Sequence, residues 1–160
     1  MQIRDAIAHD VPFLEQILLE AYNWSDQRFT LDWIRTDKMA RRYLEGFTPG
    51  DDLGMVAMLD GTAVGAVWGR TLPTERPGYG FVAPDIPELT LGVLPRARRQ
   101  GVGSRLTAAV ISIAEQRRIP GLSLSVEDGN AARRLYEKAG FTVVGRNGGS
   151  DTMLLRIGDN

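Results

Sequence analysis

The stretch Leu91-Gly92-Val93-Leu94-Pro95-Arg96-Ala97-Arg98-Arg99-Gln100-Gly101-Val102-Gly103-Ser104 decides the fold. Its first residues close an apolar run, Glu88 to Leu94, that reads as a β-strand. Pro95 cannot donate a backbone hydrogen bond, so the ladder stops there. A turn with three arginines and two glycines follows. From Gly101 to Arg118 the period becomes helical, with Val102, Leu106, Ala109, Val110 and Ile113 on one face at offsets of four, seven, eight and eleven. Pro120-Gly121 ends that helix, and Leu122, Leu124 and Val126 then alternate with Ser123 and Ser125, the signature of a half-buried strand. A strand, a helix and a strand in this order predict a right-handed parallel crossover over residues 88 to 126.

Outward from this unit the signals are local. Asp10 before Val11-Pro12 reads as an N-cap with proline in the first turn. Phe13, Leu14, Ile17, Leu18 and Ala21 carry that helix to about Tyr22. Asn23 to Asp26 interrupt it, and a second helical stretch is predicted over Asp32 to Leu44. Leu53–Leu59 and Thr62–Gly69 are short apolar runs around Asp60-Gly61, a pair that tight hairpins favour. Residues 71 to 87 hold four of the eight prolines and two glycines and read as a loop. Asn130 is placed as the cap of a helix from Ala131 to Ala139, stopped by Gly140. Phe141–Gly145 and Met153–Ile157 read as a closing pair of strands. The order α-α-β-β-β-α-β-α-β-β predicts an α/β (α+β) fold, a central mixed β-sheet flanked by helices, as a single domain over 1–160.

Composition narrows the chemistry. The chain has 160 residues, no cysteine and a single histidine, His9. Disulfides, thiolate nucleophiles, cysteine zinc sites and clustered-histidine metal sites are therefore excluded, and no metal is expected. Nineteen Lys+Arg against twenty Asp+Glu give a formal net charge of -1, which argues against a nucleic-acid partner, whose binding needs a basic face. No secretory signal is visible at the N-terminus. The longest apolar stretch, Ala108 to Ala114 with Ser112 allowed, is far short of a membrane span. A soluble, cytoplasmic protein with no membrane partner is expected.

The arginine- and glycine-rich turn opens a helix, and a helix N-terminus exposes unpaired N–H groups and a partial positive charge. Glycines let the backbone approach a bulky anion, so the turn reads as a phosphate cradle. No lysine stands where a P-loop needs one, and two glycines are too few for the dinucleotide fingerprint. Arg98-x-x-Gly101-x-Gly103 after the strand Leu91-x-Val93-x-Pro95 resembles the R/Q-x-x-G-x-G/A signature of the GNAT superfamily of N-acetyltransferases. Downstream, Asn130-Ala-Ala-Arg-Arg-Leu-Tyr136-Glu-Lys-Ala-Gly140-Phe141 is similar to that superfamily's N-x-x-A/R-x-x-L-Y-x-x-x-G-F segment. The matches span about residues 88 to 145. The second signature position is often glycine in the family, and here it is Arg99.

The resemblance implies a GNAT-like acyl-CoA N-acyltransferase fold, with acetyl-CoA (CoA) as co-substrate in a V-shaped opening between two central parallel strands. It implies that Arg98, Arg99, Gln100, Gly101, Val102, Gly103 and Ser104 hold the pyrophosphate, that Val93 meets the pantetheine arm, and that Asn130 contacts the pantetheine or the cofactor's far end. It places Tyr136 beside the sulfur as general acid and a carboxylate at the strand start, here Glu88, as base; Glu20, Asp26 and Glu127 are the fallback carboxylates of this chain. A proton acceptor or a desolvating site is required independently, because an alkyl ammonium of pKa near 10.4 is only about 0.1% neutral near pH 7.4. A cysteine-free chain suits direct transfer in a ternary complex. The expected activity is acetyl transfer from acetyl-CoA to a primary amine of a small molecule or protein. The alternative is a non-catalytic acyl-CoA-binding sensor or scaffold module.

On the acceptor side, Tyr22, Trp24, Trp33, Trp68 and Tyr79 cluster in segments that read as loop or cleft edge. Aromatic faces suit cations, and Asp26 or Asp32 could pair with an ammonium. His9, next to the expected N-cap, reads as structural. By analogy of fold a homodimer is expected through the Met153–Ile157 strand or the exposed aromatics.

Overall fold

The computed structural model describes residues 1–158. Seven strands form one mixed sheet: β1 (Gln2–Asp5), β2 (Gly54–Leu59), β3 (Thr62–Arg70), β4 (Glu88–Val93), β5 (Gly121–Glu127), β6 (Thr142–Asn147) and β7 (Ser150–Arg156). Their spatial order is β1-β2-β3-β4-β5-β7-β6. All neighbours are antiparallel except β4 and β5, the expected parallel pair. The helices are α1 (Val11–Tyr22), α2 (Leu31–Thr36), α3 (Lys38–Arg41), α4 (Val102–Gln116) and α5 (Ala132–Ala139).

Both faces of the sheet are covered, which explains why β3 is almost continuously apolar. Val64 and Val67 join the core under α4 and α5 with Leu106, Val110, Leu122 and Val126. Ala66 and Trp68 join the opposite core with Leu14, Ile17 and Ile34. The Asp60-Gly61 turn has the expected hairpin geometry, with φ of 50° and 78°.

Four local readings change. The strand β1 went unread because its four residues are mostly polar. It exists because it pairs with β2, Gln2 opposite Met58 through Asp5 opposite Met55. Asp10 is not a side-chain cap of α1. Its carboxylate accepts the Ile7 N–H at 2.8 Å and two bonds from Arg4, and a 3-10 turn over Ala8–Asp10 leads into the helix. The expected helix over 32–44 is two short helices, because Asp37 takes an extended backbone and caps the second through Ala40 N–H. Asn130 does accept a helix-start amide, but that of Ala132, so α5 begins one residue later than expected. His9 lies exposed in the 3-10 turn. The strand proposed for dimerisation, β7, is flanked on both sides by β5 and β6 and offers no free edge. Among the described residues no helix is long and apolar enough to cross a membrane.

Candidate active site

The parallel pair β4 and β5 has only one register position, Glu88 opposite Ser123. The Ser123 N–H reaches Pro87 O at 3.0 Å, and beyond this point the strands part. Leu94 N–H donates to Val64 O at 2.8 Å, so the even-numbered peptide groups at this end of β4 face β3. The alternation of a strand then turns those of Leu91 and Val93 into the gap toward β5. The gap widens into a cleft of about 990 Å³ walled by β4, β5, the Arg98–Ser104 turn, α5 and an aromatic group from the N-terminal half.

The turn is built as a donor surface. Pro95–Ala97 form a short 3-10 turn, Arg99 takes a left-handed backbone at φ 63°, and Gly101 follows at φ 80° as the N-cap of α4. Gly101 needs its freedom there, because a side chain at positive φ is strained. The first backward bond of α4 runs from Arg105 N–H to Gly101 O at 3.1 Å. The amides from Arg99 to Ser104 donate to nothing among the described residues. Unpaired amides, a helix dipole and an exposed Arg99 fit a diphosphate. Arg98 is engaged elsewhere: its guanidinium holds Val93 O at 3.1 Å and Glu20 at 3.2 Å, stitching the turn to β4 and α1.

Val93, Arg98, Arg99, Gly101, Val102, Gly103, Ser104, Asn130, Tyr136 and Glu88 all line the same cleft. Gln100 does not; its side chain turns to Arg96 O at 3.3 Å. Tyr136 is buried, its ring edge-on to Phe141 with centroids 5.9 Å apart. Burial alone pushes its phenol up to about 12. Glu88 is 2% exposed. Its Oε1 accepts the Tyr43 hydroxyl and the Gly80 N–H at 2.7 Å, while Oε2 is buried without a partner. Burial pushes this carboxyl above the usual carboxylate range, and the two donors oppose that shift.

The wall of the cleft built by the N-terminal half holds Tyr22, Trp24, Phe29, Trp33 and Tyr43, with Tyr79 beside them. Phe29 stacks on Trp33 at 4.2 Å, and Tyr22 meets Phe29, Trp33 and Tyr79 edge-on. At the rim Arg28 lies over Trp24 and Phe29 and bonds Glu127. Glu127 also accepts Trp24 Nε1 at 2.7 Å, and these partners hold its carboxyl below the usual range. Of the fallback carboxylates, Glu20 and Glu127 reach the cleft already paired, and Asp26 does not reach it. Asp32 is exposed and away from it. Trp68, expected at the cleft edge, is fully buried in the core, its indole N–H on Tyr43 O at 2.7 Å. Sequence reading missed Tyr43 and Phe29. Neither carries a local signal, since both are ordinary aromatics in short polar segments. Among the described residues no group of three or more His, Cys, Asp or Glu could hold a metal.

Comparison with known proteins agrees with this geometry. Residues 15–141 match the acetyltransferase (GNAT) family. Over 110 residues the chain is 34% identical to the mycothiol acetyltransferase of Brachybacterium faecium, an alignment that covers 68% of this chain and 31% of that protein. The chain thus spans about a third of that relative's length. The ribosomal-protein-alanine N-acetyltransferase of Brucella melitensis has the same fold, with TM-score 0.67, 26% identity and coverage of 98% of this chain and 99% of that one. The PaiA N-acetyltransferase of Thermoplasma acidophilum, solved in complex with coenzyme A, superposes with TM-score 0.69 at 20% identity, covering 97% and 98%. A splayed parallel strand pair, a bare helix start beside it and a family match across most of the chain place this protein in the GNAT acetyltransferase family.

Proposed function

We propose that this chain, as one acetyltransferase domain, moves the acetyl group of acetyl-CoA to a primary amine by direct attack in a ternary complex. One observation carries the reading: the unpaired amides of Arg99 to Ser104 open onto the same cleft as the inward-facing peptide groups of Leu91 and Val93 and the Tyr136 ring. When bound there, acetyl-CoA supplies an activated acyl group whose thiolate leaves on transfer. The turn amides and Arg99 hold the diphosphate, and the β4 peptide groups take the amide-bearing arm as an added strand would. The Val93 N–H is aimed to polarise the thioester carbonyl.

The buried Glu88 suits proton removal from an ammonium, because a carboxyl raised above its usual range is a stronger base. Tyr136 serves as hydrogen-bond donor to the departing sulfur. A phenol near 12 is a weak acid against a thiol of pKa near 8.5 in water, but burial raises the thiol by the same desolvation and narrows the gap. Asn130 fixes the entry to α5 and so the height of Tyr136 in the cleft. The acceptor is a primary amine of a small molecule or protein, taken against the aromatic wall.

Acetyl-CoA is mixed with the protein and a panel of primary amines while free thiol is followed. Acceptor-dependent thiol release is expected. Tight acetyl-CoA binding with no such release for any amine overturns the enzyme reading in favour of a sensor.

A further inference from the structure

Glu88 is held from two sides by groups far away in sequence. Tyr43, 45 residues earlier, donates its hydroxyl to Oε1, and the same hydroxyl oxygen accepts the Tyr79 N–H at 2.8 Å. Gly80 N–H donates to that Oε1 as well. The tyrosine is itself fixed: Trp68 Nε1 bonds its carbonyl, and its ring stacks on Tyr79, 13° from parallel. The Pro77–Gly80 segment therefore forms a strap tied to α3's exit and to β4 at once, with Arg42 bonding Pro77 O. Gly78 presses on the carboxylate so closely that a Cβ there would stand 2.3 Å from Oε2.

We propose that Tyr43 is the positioning residue of the base: with the Gly80 amide it occupies Oε1, so that Oε2, under the strap at Gly78, is the oxygen that takes the acceptor's proton. This rests on the reading of Glu88 as base. A proton placed on Oε1 would displace a donor, whereas one placed on Oε2 displaces none. In the step, the acceptor's N–H bond breaks, the Oε2–H bond forms, and the nitrogen keeps the electron pair with which it attacks the acyl carbon. Oε2 lies buried against Gly78. Tyr43, which holds both carboxylate and strap, governs that geometry. The groups facing Glu88 are Tyr22 at the end of α1, Tyr43 after α3, the strap amides and Ser123 in register on β5. Arg70, its partner on β3, turns its guanidinium to Asp52 and to Glu45 O, and no charged side chain among the described residues shifts Glu88.

The test titrates full-length protein carrying glutamate labelled with 13C at Cδ, the Glu88 resonance being identified by its loss in Glu88→Gln. In wild type the Gly80 amide proton is expected to shift with the same midpoint as Glu88. In Tyr43→Phe, which keeps the ring, the stack and the Trp68 bond, the Glu88 midpoint is expected to rise by about one to two pH units, since a donor to the charged form is lost. A role confined to stability would change the melting temperature and leave the midpoint in place. An unmoved midpoint, or a Gly80 amide blind to Glu88, overturns the assignment. If Glu88→Gln keeps full acceptor-dependent thiol release, the base itself is refuted. If that variant is inactive and only the Tyr43→Phe midpoint stays put, the base stands and the positioning role falls.

Discussion

Replacing Tyr136 by Phe removes one hydroxyl from a ring that is 8% exposed and packed on Phe141. No other protein group shifts that hydroxyl. Its loss leaves no protein partner stranded, so the stability change should stay within about 0.5 kcal/mol. For a chain of this length that is a melting shift of no more than about 2 °C. Loss of a positioned donor to the leaving sulfur, in contrast, lowers kcat by about 10²- to 10⁴-fold, equivalent to roughly 2.7 to 5.4 kcal/mol of barrier. The phenol sits at about 12, so it stays protonated throughout pH 6 to 9, and any alkaline limb in that window belongs to another group. The assay follows thiol release at saturating acetyl-CoA and amine, with acetyl-CoA affinity measured separately by calorimetry. Affinity should be little changed. A variant kcat within about twofold of wild type across pH 6 to 9 removes Tyr136 from the chemistry, and a melting temperature lowered by many degrees assigns it to packing instead.

Two further substitutions probe the frame of the site. At Gly101 a Cβ meets nothing within 4 Å, so Gly101→Ala carries only the strain of φ 80°, about 1 to 2 kcal/mol. It should lower the unfolding free energy by that amount, read from urea titration as a lower midpoint at unchanged slope, and weaken acetyl-CoA binding, and an unchanged affinity would show that the diphosphate is held elsewhere. Asp10 has its carboxyl held below the usual range, first by Arg4 and then by the Ile7 amide, burial opposing both. A lowered folded pKa gives stability that is present above the unfolded value and lost as pH falls through the folded one. Asp10→Asn should therefore destabilise at pH 7 by about 1 kcal/mol or more. The difference should shrink on acidification below about pH 4, and a pH-independent difference would refute the linkage.

The paired elements around Leu91 to Ser104 were legible because their signals are local: a proline that stops β4, a 3.6-residue period in α4, alternation in β5, and a second motif carrying Asn130 and Tyr136. Residues 71 to 87 were legible as a loop but not as a strap, since what ties Gly80 and Tyr79 down lies on Tyr43 and Glu88. The strand β1 and the break at Asp37 were illegible for a similar reason: short polar segments carry no period, and β1 is made by its pairing with β2.

The sequence by itself settled the crossover, the mixed sheet, the absence of a cysteine nucleophile and the glycine-bearing turn that opens α4, because composition, backbone propensity and side-chain periodicity are read over a few residues. The tertiary structure alone decided which groups face one another. It buried Trp68 in the core, gave Glu127 to Trp24 and Arg28 roughly a hundred residues away, engaged Arg98 with Glu20, and tied Tyr43 to Glu88. Those pairings follow from how a twisted sheet brings distant segments to one cleft, and no local rule in the chain encodes them.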